Sequence, residues 1–109
     1  MKKEVREILK RNGYEKLGRG DCWVRHYYGT NFVSFLTITD VSRWDYDIKT
    51  HNWVDSEPHI NLYIRFMTAT FYCLDDIKII RKCTKKAFKD RDKIALQIEK
   101  ATSIKVRNK

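Results

Sequence analysis

The sequence predicts an α+β fold: a two-layer sandwich in which helices pack on one face of an antiparallel sheet of four or five strands. A short amphipathic segment begins the chain, alternating β-type segments fill its middle, and a long amphipathic segment ends it. Because 109 residues are enough for one hydrophobic core and too few for two, we expect a single domain over residues 1–109.

The first third of the chain predicts one helix and three strands. Val5, Ile8 and Leu9 recur at helical spacing and an Asn-Gly pair follows them, so residues 2 to about 12 should form a short helix. The three strands are predicted from β-prone runs that the turn sequences GRGD and GTN separate: YEKLG (14–18), CWVRHYY (22–28) and FVSFLTIT (32–39).

The segment HINLYIRF, residues 59–66, predicts a strand with two unlike faces. Its apolar residues alternate with polar or amphipathic ones, which indicates a sheet with one face on the core and the other open to solvent. The residues expected on the open face are His59, Asn61, Tyr63 and Arg65. The following residues, TATFYCL (68–74), are also β-type, and one strand of that total length would be unusually long, so we expect a turn or bulge near residues 67–70.

The last third predicts a long helix with one apolar and one basic side. Asp75 and Asp76 suit its N-terminus, and it should run to about residue 103. At 100° per residue, the apolar arc comprises Ile77, Ile80, Cys83, Thr84, Ala87, Phe88, Ile94, Ala95, Ile98 and Ala101. Arg91 also falls within that arc, so a break near KDRD (89–92) is one alternative.

The charge is unevenly distributed along this basic chain, whose formal net charge is +9. Residues 75–109 hold twelve basic and five acidic residues, a net +7, whereas residues 40–57 hold two basic and five acidic residues, a net −3. No apolar run approaches the roughly 18 to 20 residues of a membrane span, and the charged N-terminus does not resemble a signal peptide. We therefore expect a cytoplasmic protein with no membrane partner.

The basic side of the long helix is the clearest indication of function. Exposed helical faces usually mix both signs of charge, but here only Asp92 and Glu99 interrupt the cations. The predicted nucleic-acid-binding residues are Lys78, Arg81, Lys82, Lys85, Lys86, Lys89 and Lys93. Because lysine predominates, we expect sequence-tolerant contact with DNA, RNA or a nucleoprotein complex, to which Tyr63 or Tyr27 would add stacking from the open sheet face. The alternative is an ordinary solvated face.

Residues 40–57 combine acidic charge with aromatic side chains, and we expect them to form a long loop. Acidic surroundings repel phosphate, so Trp44, Tyr46 and Trp53 should not contact nucleic acid. These aromatic residues either cap the core or bind a protein partner, plausibly a basic one. The second interpretation gives the alternative function: a protein–protein interaction module, such as a phage or mobile-element inhibitor of a host factor.

The sequence predicts no catalytic residue, no metal site and no cofactor. The carboxylates and histidines of residues 40–59 lack any recognised ligand spacing, so a metal-dependent nuclease ranks third. Cys22 and His26 would be about 13 Å apart on one strand, too far for a nucleophile and its base. With Cys73 and Cys83 the cysteine count is odd, which argues against a disulfide framework, and we expect all three to be buried.

Overall fold

The computed structural model describes residues 3–27, 32–68 and 74–108. In chain order, its elements are α1 (Lys3–Arg11), β1 (Glu15–Lys16), β2 (Cys22–His26), β3 (Phe32–Val41), β4 (Trp44–Asp47), β5 (Asn52–Asp55), β6 (His59–Thr68), α2 (Leu74–Thr102) and β7 (Lys105–Asn108). Over these residues the larger sheet has the order β1-β2-β3-β6-β7, and β4 and β5 form a second, two-stranded sheet. The predicted α+β fold is confirmed, because one core joins both helices to the larger sheet.

The edge strand β7 lies outside the predicted topology. It pairs with β6 in parallel, whereas the pairs β1–β2, β2–β3 and β3–β6 are antiparallel. The prediction of a wholly antiparallel sheet is therefore wrong at this edge. Parallel neighbours need a long connection, and α2 supplies it, so that β6, α2 and β7 form a β-α-β crossover. β7 has four residues, too few for a recognisable alternation of apolar and polar positions, so the sequence does not predict this strand.

The first helix, α1, is held by its apolar side. Val5, Ile8 and Leu9 are buried, as their spacing predicts. Gly13 follows the helix with a φ of 83°, a conformation that strains residues with a Cβ. A Cβ there would also lie 3.3 Å from Nε of Arg25, so glycine lets the chain turn close to this arginine of β2.

The core fills the space between the larger sheet and the two helices. From β6 it receives Ile60, Leu62 and Ile64, which are buried as the alternation predicts. The buried residues of α2 are Cys83, Ala87, Ile94, Ala95 and Ile98. Three residues of the predicted apolar arc are corrected, because Ala101 is exposed, and Ile77 is 41% and Phe88 38% exposed at the margin of the packed surface.

The second helix, α2, runs without interruption for 29 residues, so the alternative with a break near residues 89–92 is wrong. Arg91 fits within the apolar arc because its guanidinium lies 4.9 Å from the ring centroid of Phe88 and pairs with Asp92. A long side chain can thus pack along apolar surface and keep its charge near water. The helix ends at Thr102, close to the predicted end, and the next residue takes a left-handed φ of 59°.

Part of the predicted connection between β6 and α2 can be compared with the structure. The register of β6 with β3 continues through Thr68, so the bulge expected near residues 67–70 does not occur at residues 67 and 68. Leu74, the expected end of a strand, begins α2 instead, which places Asp75 and Asp76 in the first helical turn as predicted. The rest of the expected strand and turn, residues 69–73, lies outside the described residues.

Residues 40–57 contain a β-hairpin, not the long loop that the sequence predicts. β4 and β5 pair antiparallel on either side of a turn at residues 48–51. Between this hairpin and the β3–β6 pair, residues 42 and 43 of one strand lie opposite residues 56–58 of the other. These residues belong to neither ladder, and the chain bends at residues 42, 43 and 58, so the ribbon is interrupted between the two sheets. The loop prediction fails because aromatic residues with high β-propensity occupy both short strands.

Candidate functional site

The basic side of α2 is a continuous exposed surface. All seven predicted nucleic-acid-binding residues are exposed: Lys78, Arg81, Lys82, Lys85, Lys86, Lys89 and Lys93. In the part of the chain that the structure describes, none of them forms an ion pair with a carboxylate. The described carboxylates therefore do not neutralise their charges. Between Lys78 and Lys93 the helix rises about 22 Å, since each residue adds about 1.5 Å.

A cavity of about 790 Å³ lies where the first half of α2 passes β2. Among the residues that the structure describes, its polar lining comprises Glu15, Arg25, His26, Tyr27, Lys82 and Lys86. Of the same described residues, Val24, Ile79 and Cys83 form its apolar lining, and Gly13 also borders it. The cavity thus joins two lysines of the basic helical face to a group of polar residues that lies about sixty positions earlier in the chain.

Arg25 is the fixed cation of this cavity. Its Nη1 donates to Oδ2 of Asp90 on α2 at 2.5 Å, and its side chain is largely buried. Its guanidinium carbon lies 5.1 Å from the ring centroid of Tyr27, and Nζ of Lys86 lies 5.9 Å from the same centroid. Two cations therefore lie at cation–π distance from one aromatic ring.

Tyr27 lies in the core layer that faces the helices, which corrects one prediction. The residue is buried, and its ring meets that of Phe32 edge-on with centroids 5.3 Å apart. Burial raises the pKa of the Tyr27 phenol, and the nearby Tyr14 adds to that rise, so the hydroxyl stays neutral. A buried ring cannot serve as a stacking platform on the open sheet face. Tyr63, 46% exposed, keeps the position that the alternation predicts.

The chain matches no protein-family model, no curated protein and no solved structure. Functional inference therefore depends on the chemistry of the sites. Sequence reasoning identified the basic helical face but missed the cavity, because Arg25 and His26 reach Lys82 and Lys86 only through the tertiary packing of β2 against α2. A weak signal was present, since the segment CWVRHYY is rich in aromatic and basic residues.

The aromatic residues of the β4–β5 hairpin do not cap the core. Trp44, Tyr46 and Trp53 occupy one face of the hairpin and are 53%, 39% and 66% exposed. The rings of Tyr46 and Trp53 contact each other with centroids 5.4 Å apart. The guanidinium of Arg43 lies 5.3 Å from the ring centroid of Trp44 and pairs with Asp55 at 3.5 Å. The hairpin therefore presents an aromatic surface to solvent.

A buried polar contact attaches the other face of the hairpin to the larger sheet. Oδ1 of Asp45 accepts a hydrogen bond of 3.3 Å from the side-chain amide of Asn61, and its Oδ2 lies 3.4 Å from Nε2 of His59. Both His59 and Asn61 are buried, although the alternation of β6 places them on the open face. The prediction is wrong for these two residues because the bent hairpin brings Asp45 over this end of the sheet.

Ser56, His59 and Asp45 have the residue types of a hydrolase triad but not its proton arrangement. Nδ1 of His59 lies 3.3 Å from Oγ of Ser56 and only 2.7 Å from the carbonyl oxygen of Glu57. A carbonyl only accepts hydrogen bonds, so Nδ1 carries a proton and has no lone pair with which to receive that of Ser56. We interpret the cluster as a structural contact at the base of the hairpin.

The remaining candidates for chemistry are widely separated. Within residues 3–27, 32–68 and 74–108, no group of three or more His, Cys, Asp or Glu side chains converges in a way that could hold a metal ion. Cys83 is buried as expected, whereas Cys22 is only half-buried, and both are free thiols. Cys73 lies outside the described residues. Neither helix, over its described part, is long and apolar enough to cross a membrane.

Proposed function

We propose that the protein binds nucleic acid, or a nucleoprotein complex, through the basic face of α2 with little sequence preference. The observation that supports this proposal is the row of seven exposed cations on one uninterrupted helix, none of which pairs with a carboxylate among the described side chains. A mixed-charge solvated face would be neutral on average, and this face is not. Cations so arranged lower the free energy of any bound polyanion and release its condensed counterions.

The spacing of the lysines suits a phosphate backbone. Lys78, Lys82, Lys85, Lys89 and Lys93 step by three or four residues and form one stripe about 22 Å long. Phosphates recur about every 3.4 Å along one strand of B-form DNA, so the stripe spans several of them. Lysine contributes a point charge, whereas arginine would offer two parallel hydrogen bonds to guanine. We therefore expect contacts to phosphates and weak discrimination between bases.

Charge reversal on the stripe tests this function. Fluorescence anisotropy with labelled oligonucleotides of several unrelated sequences, at about 50 mM salt, should show binding of similar strength to each. Lys82→Glu combined with Lys89→Glu should weaken all of them by about tenfold or more, because four units of charge change on the binding face. Both side chains are exposed, so circular dichroism should show an unchanged fold.

A matched control separates local contact from net charge. Lys16→Glu combined with Lys49→Glu produces the same change in net charge at exposed positions outside α2. This variant should retain most of the affinity. Equal losses in the two variants, or no binding by the unmodified protein, would refute the proposal and leave the lysines as a solvated face.

A second candidate function, a protein-interaction module, is favoured by the exposed aromatic face of the hairpin. Exposed tryptophan and tyrosine side chains are common anchors in protein interfaces, and here three share one face. In a pull-down from nuclease-treated lysate, this function predicts a retained protein partner that Trp53→Ala releases, with a loss of about 2 kcal/mol or more in binding. If nucleic acid co-purifies with the protein, and every captured protein is lost after nuclease treatment, the first function is favoured instead.

A further inference from the structure

We propose that the cavity between β2 and α2 binds one nucleotide of a single strand, or of a strand end, by its phosphate and its base. This inference rests on the proposed function and makes it more specific. A row of lysines on a convex helix contacts any polyanion, but a concave site with fixed groups distinguishes ligands by shape. The cavity volume of about 790 Å³ lies within the range of small-molecule sites and exceeds what one nucleotide requires.

The cationic side of the cavity suits a phosphate. Lys82 and Lys86 are one helical turn apart, so both ammonium groups can approach one anion from the same side. Arg25 adds hydrogen-bond donors whose position is set by its ion pair with Asp90, and that pair offsets most of its charge. Among the described lining residues Glu15 is the one carboxylate, and it lies on β1, across the cavity from the helix.

The remaining lining suits a base or a ribose. Ile79 and Cys83 offer apolar surface next to the cations. Val24 and His26 also border the cavity, but they alternate with Arg25 along β2, so their side chains lie on the opposite face of the sheet. A ligand that is only an inorganic anion would leave this apolar surface in water, whereas a nucleotide would cover it.

The shape of the site selects against the interior of a duplex. A base pair within a helix is stacked on both sides, and its nucleotide enters a concave pocket only after it leaves the stack, at a cost of a few kcal/mol. An unpaired or terminal nucleotide avoids most of that cost. The duplex and the single strand should therefore use α2 differently: the duplex by the exposed stripe alone, the single strand by the stripe and the cavity together.

Two lysine pairs on the same helix test the site. Lys82→Ala with Lys86→Ala removes two charges from the cavity, and Lys85→Ala with Lys89→Ala removes the same charges at the same spacing from the adjacent stripe. With an oligothymidine of about twelve residues, the cavity pair should lose about tenfold in affinity and the control pair about threefold. With a duplex of equal length, the control pair should lose more than the cavity pair, because it removes two lysines of the stripe and the cavity pair removes one. Equal losses of single-strand affinity would overturn the cavity site and leave the proposed function standing.

Nucleotide titration locates the ligand directly. Adenosine 5′-monophosphate should shift the backbone amide signals of Val24, Arg25 and His26 and of α2 around Lys82 in ¹H–¹⁵N spectra. Adenosine, which has no phosphate, should shift them at least about tenfold more weakly at the same concentration. Shifts from the monophosphate without any polymer binding would support the cavity and refute the proposed function. Equal shifts from the nucleotide and the nucleoside, or shifts elsewhere in the protein, would overturn the phosphate site.

Discussion

The basic helix α2 and the acidic β4–β5 hairpin differ in how they are attached to the molecule. α2 buries apolar side chains from Cys83 to Ile98, with Ile94 and Ile98 inaccessible to solvent. The hairpin buries no side chain of its two strands and is attached through Asp45 to His59 and Asn61. The helix is thus held by apolar packing between Cys83 and Ile98, and the hairpin by a few polar contacts at its base.

This difference separates stability from function in the two regions. On α2 the stabilising residues and the candidate binding residues occupy opposite sides, so the cations can be replaced without loss of packing. On the hairpin the aromatic residues are themselves the exposed surface, and their apolar area remains in water. Substitutions in the two regions should therefore produce opposite patterns of stability and binding.

The largest expected effect is on the buried side of α2. Ile98→Ala should lower the free energy of unfolding by about 2 to 5 kcal/mol, because it removes buried methyl groups and leaves a cavity. Urea denaturation measures this loss. Lys100→Ala, on the exposed side two residues later, should change the free energy by less than about 0.5 kcal/mol. A small loss for Ile98→Ala would contradict the packing of α2 on the sheet.

An intermediate effect is expected where the hairpin meets the sheet. Asp45→Ala should cost about 1 to 3 kcal/mol, since it removes the carboxylate that accepts the hydrogen bond of the buried Asn61 amide. Hydrogen exchange of the hairpin amides should become faster at the same time. Asp55→Ala, which breaks only the exposed pair with Arg43, is the control and should cost about 0 to 1 kcal/mol. Equal effects of the two changes would show that Asp45 does not hold the hairpin.

The smallest effect on stability is expected at the tip of the aromatic face. Trp53→Ala should change the free energy of unfolding by less than about 1 kcal/mol, because the side chain is mostly exposed. Trp23→Ala makes the same substitution in the core and should cost about 3 to 5 kcal/mol. A loss of that size for Trp53→Ala would mean that the hairpin aromatics do cap the core.

The sequence predicts the fold class, α1, the buried side of β6 and the length of α2. Each of these depends on the regular spacing of apolar residues along the chain, which follows from packing one side of an element on the core. The sequence does not predict the attachment of the hairpin. Trp44 and Tyr46 alternate with Asp45 and Asp47 at the period of a strand, but acidic residues in a strand suggest a solvated loop when no partner is known. The partners of Asp45 lie at least fourteen residues away, so only the folded chain brings them together.

The candidate site also has one part that the sequence predicts and one part that it does not. The basic face of α2 could be predicted because helical geometry fixes which residues share a side. The cavity could not, since Arg25 is separated from Asp90 by 65 positions and the approach of β2 to α2 depends on the whole core. The local sequence pattern therefore identified the charged face of α2, whereas the cavity beside it is formed only by the tertiary packing of β2 against α2.

The salt dependence of nucleic-acid binding tests the central claim most directly. If five lysines of α2 contact phosphates, a plot of log K against log salt for a duplex should have a slope of about −4 to −5. The Lys82→Glu, Lys89→Glu variant should flatten that slope, so that its magnitude falls to about 3 or below. It should also weaken binding similarly for unrelated sequences. A slope near zero for the unmodified protein, or an unchanged slope in the variant, would contradict the account.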